Sequence, residues 1–270
     1  MEQLPGVGIL GCGWLGLPLA KKLIEIGWQV TGTTTTPEKI ALLQSASIQA
    51  YLFKAGQGKI PAQLLNSDVL VIAFPPKSKS TDGEWYWKAI GTIFQEMNNK
   101  KIKKVILLSS TSVYPDLDEI LTEEFQLIPE NTGNPALFKA EQIALESKIP
   151  VHILRLGGLA GADRLLARHF SGKTNLKNGN SPVNLLHQED AVNVIELFVL
   201  NSFESGIYNV CSPYHPSKRE LYESDSARMD LPLPQFEVDV VGGKEISPQK
   251  LIKTTGYQFR FPDPKEFTYN

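Results

Sequence analysis

The sequence predicts an α/β fold built on a parallel sheet, and three observations predict it. Short apolar runs of β type alternate with helical periodicities over residues 1–155. Several runs are apolar at consecutive positions, as strands covered on both faces must be. The first run stops at a glycine-rich turn that opens into a helical pattern.

The elements follow in order. Val7-Gly8-Ile9-Leu10 reads as the first strand, and Leu19, Leu23 and Ile26 at i, i+4 and i+7 mark the helix after the turn. Pro18 falls in that helix's first turn, where its missing N–H costs nothing, and Gly27 sits where a C-cap belongs. Residues 28–31 form a second strand, and Thr36-Pro37 reads as N-cap and first position of a second helix through Leu42 and Leu43. Further strands are expected at 50–53, 69–74, 105–108 and 151–154. Helical stripes at Ile90, Phe94 and Met97 and at Leu137, Ala140, Ile143 and Ala144 lie among them. After Gly157-Gly158 the period loosens. A helix at 191–200, a strand at 207–210 and a capping box at Ser217-Lys-Arg-Glu220 are expected there.

Composition narrows the class. At about 150 residues per domain, 270 residues make one large domain or one with a smaller companion. The chain has 27 Lys and Arg against 29 Asp and Glu, a net charge of −2, which argues against a nucleic-acid partner. Apolar runs such as 69–74 fall far short of a bilayer span, so no membrane partner is expected. Met1-Glu2-Gln3-Leu4-Pro5 lacks the basic start of a signal peptide. Cys12 and Cys211 cannot build a disulfide framework and fit a reducing, cytoplasmic setting. His152, His169, His187 and His215 never stand three or four apart, so no metal site is expected. Lys100, Lys101, Lys103 and Lys104 read as a solvated helix end, and Glu123-Glu124 as a solvated acidic pair.

Gly-x-Gly-x-x-Gly occurs twice, overlapping at Gly11, but only Gly11/Gly13/Gly16 follows a strand and opens a helix. In that setting Gly11 permits a tight turn, Gly13 lets the backbone approach a pyrophosphate, and Gly16 lets the helix pack closely. Trp14 and Leu15 complete the turn, whose helix N-terminus offers N–H groups to phosphate. The pattern is that of a Rossmann-type, doubly wound NAD(P)-binding domain at 1–155, followed by a smaller α+β substrate-side region at 156–270, parts of which complete the sheet. Where an acid would hold the ribose of NAD, the chain reads Gly32-Thr33-Thr34-Thr35-Thr36. Threonine hydroxyls can donate to a 2′-phosphate, and Lys39 lies one helical turn on. NADP is therefore expected over NAD, with Thr33, Thr34, Thr35 and Lys39 as its contacts.

Val105-Ile-Leu-Leu-Ser-Ser-Thr-Ser-Val-Tyr-Pro115 resembles the S-S-x-x-V-Y-G segment of the extended short-chain dehydrogenases/reductases, the NAD-dependent epimerase/dehydratase family. The glycine turn, the helix bearing Ala140-Glu141, Leu186-His187-Gln188-Glu189-Asp190 and Gly206-Ile-Tyr-Asn-Val210 match that family in order. The resemblance implies a catalytic Ser110, with Ser109 beside the nicotinamide and Phe74-Pro75-Pro76 as a cofactor-contacting loop. It also makes Thr111, next to Ser110, and His187 candidates to face a substrate, although His187 reads more readily as a hydrogen-bonded structural histidine; Tyr114 reads equally as a substrate contact or as a packed aromatic at a strand end. The family's Tyr-x-x-x-Lys pair is missing: counting back from Ala140-Glu141, Gly133 and Leu137 hold the two positions. Neither can move a proton. Tyr214 to Lys218 has the literal spacing, but Pro216 lies inside it and Ser217 caps the next helix. The resemblance thus implies an atypical member, an oxidoreductase or epimerase-like enzyme acting on a small hydroxylated or nucleotide-sugar substrate. The alternative is a non-catalytic NADP(H)-binding sensor or regulatory protein.

Overall fold

A computed structural model describes residues 4–76, 83–98, 100–161, 163–237 and 242–269. The chain runs β1 (Gly6–Leu10), α1 (Gly16–Glu25), β2 (Gln29–Thr34), α2 (Lys39–Ser45), β3 (Gln49–Leu52), α3 (Ala62–Leu65), β4 (Val69–Ile72) and α4 (Glu84–Met97). It continues through β5 (Lys104–Ser110), β6 (Ile120–Leu121), α5 (Pro135–Leu145), β7 (Val151–Leu156), β8 (Gly158–Ala160), α6 (Leu166–Phe170) and β9 (Leu185–His187). The last elements are α7 (Gln188–Leu200), β10 (Gly206–Val210), α8 (Lys218–Arg228), β11 (Glu245–Ile246) and α9 (Gln249–Thr255).

Seven strands form a parallel sheet in the order β10-β7-β5-β4-β1-β2-β3, the doubly wound topology of a Rossmann-type fold. Chain order reverses between β1 and β4, which pair through Val7 and Val69. Every residue of β4 and β7 is buried. Successive strand residues point to opposite faces, so both faces are covered. The fold follows the sequence pattern in its strands and departs from it at edges. β2 runs on to Thr34, so two of the expected loop threonines are strand residues. Thr36-Pro37 forms a turn instead of a helix start, with the Thr36 carbonyl accepting from the Lys39 N–H. Ser217 caps α8 through both hydrogen bonds of the capping box.

Two compact units are formed, the first from 1–113, 134–155 and 192–207, the second from 114–133, 156–191 and 208–270. In the first unit the Lys104 ammonium donates to the carbonyls of Phe198, Val199 and Asn201 at the end of α7. This Lys is thus a helix C-cap and not part of a solvated basic run; burial lowers its pKa. Lys101 and Lys103 pair with Asp68. The second unit carries its own aromatic core, in which Phe170 stacks on Tyr222 at 3.9 Å. Buried Asp190 there accepts from the Tyr257 hydroxyl and from the N–H groups of Arg260 and Phe261, tying down the C-terminal segment. No helix among the described residues is long and apolar enough to cross a membrane.

Candidate functional site

The turn between β1 and α1 is fixed by its glycines in three different ways. Gly11 has φ +106°, and its N–H donates to Thr33 Oγ1 at 3.0 Å. A Cβ on Gly11 would press the backbone of Ala73 and Phe74 at 3.3 Å, so the turns after β1 and β4 are in near contact. At Gly16 a Cβ would stand 2.2 Å from the Gly11 carbonyl oxygen, which closes the helix onto the turn. Gly13 is unlike both. It does not have a positive φ, and a Cβ there would meet no described atom within 4 Å. Neither strain nor packing requires glycine at 13; the space in front of it is the space a ligand would fill.

That space is a cavity of about 550 Å³ at the carboxyl ends of β1 to β4, the size and place at which doubly wound sheets take ligands. Gly11 and Gly13 line it from the first turn, and Phe74 and Pro75 from the turn after β4. Thr33, Thr34, Thr35 and Lys39 line it from the end of β2 onward. The two buried threonines hold the wall in shape: Thr33 accepts from Gly11, and Thr34 Oγ1 accepts from the Thr36 N–H at 3.2 Å. Thr35 and Lys39 are exposed to the cavity side of solvent. Trp14, Leu15, Gly16 and Pro76 do not line the cavity. Leu15 is instead the buried N-cap residue of α1. Residues that sequence reasoning did not single out complete the wall: Phe53, Lys54 and Gln57 after β3, and Trp85 at the start of α4. Among the described residues the lining carries two lysines and no carboxylate. A larger open groove of about 890 Å³, flanked by Trp87 of α4 and Ile143 of α5, lies away from the strand ends.

Cys12 sits in the same turn, and burial pushes its thiol up to about 12, so proximity to a helix N-terminus does not activate it. Its sulfur lies 2.3 Å from where a Cβ on Gly32 would be. Gly32→Ala should therefore cost about 1–3 kcal/mol by overpacking. Thermal melts should show Cys12→Ala restoring most of that loss in the double variant; an additive pair would refute the contact.

Ser109 and Ser110 end β5, outside the cavity lining. Ser109 Oγ donates to Glu141 Oε1 at 2.5 Å, and Glu141 also accepts from Arg155 Nε and, at 2.7 Å, Nη2. Glu141 and Arg155 are 1% and 3% exposed, so this is a charge pair inside the protein with a serine leaning on it. Ser110 Oγ accepts from the Ser112 N–H at 3.1 Å and remains half-buried; Thr111 is buried in the 3₁₀ turn that follows. On α5, Asn134 caps the helix, leaving Gly133 outside it, and Leu137 is buried. The one lysine of α5, Lys139, lies over the Trp87 ring. Tyr86 is in edge contact with Phe74, but burial and the Glu141 charge raise its pKa well above the ordinary phenol value.

The remaining candidates belong to the second unit. The Tyr114 hydroxyl is buried against the Thr122 carbonyl and Asn209 Oδ1, at 3.0 and 2.9 Å. His187 Nε2 meets the Thr268 carbonyl at 3.0 Å, which fixes the proton on that nitrogen, while Nδ1 accepts from the Glu189 N–H. Both ring nitrogens are thus engaged with backbone. Glu123, read in the sequence as solvated, accepts from the Asn209 N–H through Oε1. Among the described residues no group of His, Cys, Asp and Glu could hold a metal ion.

No family model matches the chain. Protein YeeZ of Escherichia coli strain K12 is 33% identical over 268 residues, covering 96% of this chain and 97% of its own length. Among solved structures, a candidate NAD-dependent epimerase/dehydratase from Methylobacillus flagellatus superposes with a TM-score of 0.76 at 22% identity, covering 97% of this chain and 95% of that one. UDP-glucuronic acid 4-epimerase from Bacillus cereus, solved with NAD, gives a TM-score of 0.79 at 15% identity over 97% and 93% of the two chains.

Proposed function

The chain belongs to the family of Protein YeeZ of Escherichia coli, and on that premise we propose that it is a cytoplasmic NAD(P)-binding oxidoreductase or epimerase-like enzyme for a small hydroxylated or nucleotide-sugar substrate. Residues 1–155 carry the cofactor and 156–270 the substrate side, in an atypical branch of the epimerase/dehydratase family without Tyr-x-x-x-Lys. Nucleic acid and membrane are not its partners. The observation that carries the reading is Gly13, a glycine that neither fold nor backbone requires and whose missing Cβ opens onto the cavity. The fold shared with an epimerase solved with NAD supports the same reading.

The residues fit a dinucleotide. The turn from Gly11 to Gly16 would take the pyrophosphate against backbone N–H groups at the start of α1, and Phe74 and Pro75 would wall the cofactor from the β4 side. When bound, the nicotinamide supplies the hydride chemistry. Ser110 would hydrogen-bond the reacting oxygen. Ser109, held on Glu141, would keep that strand end in register. Gly133 and Leu137 cannot move a proton, and the Tyr114 and His187 hydrogen bonds are made within the second unit. The proton is therefore left to substrate or water.

NADP is the preferred cofactor on this reading, because the β2 end offers threonines and Lys39 where an acid would repel a 2′-phosphate. Fluorescence titration should give tighter binding of NADPH than of NADH; the reverse order would overturn the preference, and binding of neither would overturn the cofactor. A panel of carbonyl compounds and sugar nucleotides then asks for turnover, and binding without any would turn the proposal from enzyme to sensor.

A further inference from the structure

Within the second unit, and independently of the cofactor cavity, we propose that the outer edge of β6 docks an extended, basic segment of another protein, which adds a strand there. β6 pairs with β11 in parallel, Ile120 opposite Glu245 and Leu121 opposite Ile246. The Glu245 N–H donates to the Glu119 carbonyl and the Ser247 N–H to the Leu121 carbonyl, both at 3.0 Å. Residues 119 and 121 thus spend their main chain on β11, and Ile120 between them turns its N–H and carbonyl the other way. No strand pairs with β6 on that side among the described residues. The far edge of β11 is closed by Asn184, whose side chain accepts from the Ile246 N–H at 2.7 Å and donates to the Lys244 carbonyl at 2.8 Å. The β6 edge is left open, and on it Leu121 is buried while Ile120 is 65% exposed.

The charges around this edge select its occupant. The segment 114–133 holds six acids and no Lys, Arg or His. Asp116, Asp118, Glu119 and Glu124 are exposed, and the last three enter no salt bridge among the described residues. One cation is near: the Lys244 ammonium donates to the Tyr114 carbonyl at 2.9 Å and feels the charge of Asp116. Residues 238–241, outside the described part, contain no Lys or Arg. Acids alone would guard an open edge against unwanted pairing, but an exposed isoleucine at its centre undoes that guard and calls for cover. A second copy of β6 is a poor cover, because pairing two such strands sets like charges side by side. A strand alternating basic and apolar residues meets every feature at once. It bonds the main chain at Ile120, covers the Ile120 side chain and faces the flanking carboxylates with opposite charge.

The probe is a short synthetic peptide alternating Lys and Val, titrated against the whole protein by fluorescence anisotropy beside a Glu and Val peptide of the same length. The Lys peptide should bind and the Glu peptide should not, and raised salt should weaken the complex. Ile120→Pro should cut the affinity about tenfold or more, since it removes the outward N–H and the exposed side chain while the bonds to β11, made at 119 and 121, stay. Glu119→Gln should cut it about threefold, the worth of one exposed charge contact. Methylating the main-chain nitrogens of the Lys peptide should abolish binding, although its charge is unchanged. A wild type that binds both peptides alike, or neither, overturns the proposal, as does an Ile120→Pro protein that melts like wild type and keeps its affinity. Should Ile120→Pro lower the melting temperature, the methylated peptide decides on the unaltered protein, and its retained binding overturns strand addition. A wild-type dimer in sedimentation that Ile120→Pro dissolves would make a second copy the occupant and overturn the basic partner.

Discussion

Gly13→Glu is expected to abolish binding of NADPH and NADH alike, by about a hundredfold or more, and to leave the melting temperature nearly unchanged. A Cβ at this position meets no described atom, so the fold has room for a side chain. The ligand does not: the new carboxylate would occupy the phosphate's place and repel it. Two unit charges about 4 Å apart at an effective dielectric of about 20 oppose each other by about 4 kcal/mol, enough for the loss expected. Gly16→Ala is the contrasting variant. Its Cβ would collide with the Gly11 carbonyl, so it should lower the melting temperature as well as the affinity. Retained NADPH affinity in a folded Gly13→Glu protein would remove the main support for dinucleotide binding at this turn.

The second large effect is on stability. Glu141→Ala removes the carboxylate that accepts from the buried Arg155 guanidinium and takes the acceptor from Ser109. Breaking a buried pair from one side costs about 3–5 kcal/mol. At about 2–4 °C per kcal/mol for a chain of this size, the melting temperature should fall by about 10 °C. Glu141→Met with Arg155→Met should recover much of that loss, because an apolar pair of similar volume leaves no charge behind. A single variant that melts within about 2 °C of wild type would mean the pair is not a structural support.

What could be read in the sequence was local. The Gly11/Gly13/Gly16 turn, the Ser217 capping box and the buried runs each rest on residues a few positions apart, and each stands where spacing put it. What escaped was set by pairing at a distance. Lys54 reaches the cavity because β3 lies beside β2 in the register Thr34 to Leu52, which no local pattern encodes. Glu141 sits on the buried stripe of α5, where a charge has a place only because Arg155 arrives from β7. Lys104 looked like one of four solvated lysines until α7 brought its last carbonyls to it. For Glu141 a signal did exist: an acid in phase with Leu137, Ala140 and Ala144 on an otherwise apolar face asks for a partner.

The cavity is walled by four separate turns, three of them standing on strands largely sealed from solvent and one on the more exposed edge strand β3. In evolutionary terms this makes ligand choice modular. Exposed residues such as Thr35, Lys39 or Lys54 can be exchanged without disturbing the interior, and each exchange would re-tailor one end of a long ligand while the others stay as they were. A lineage built on this sheet can therefore change what the cavity accepts by surface changes alone, while Gly11 and Gly16, which hold the frame together, stay closed to variation.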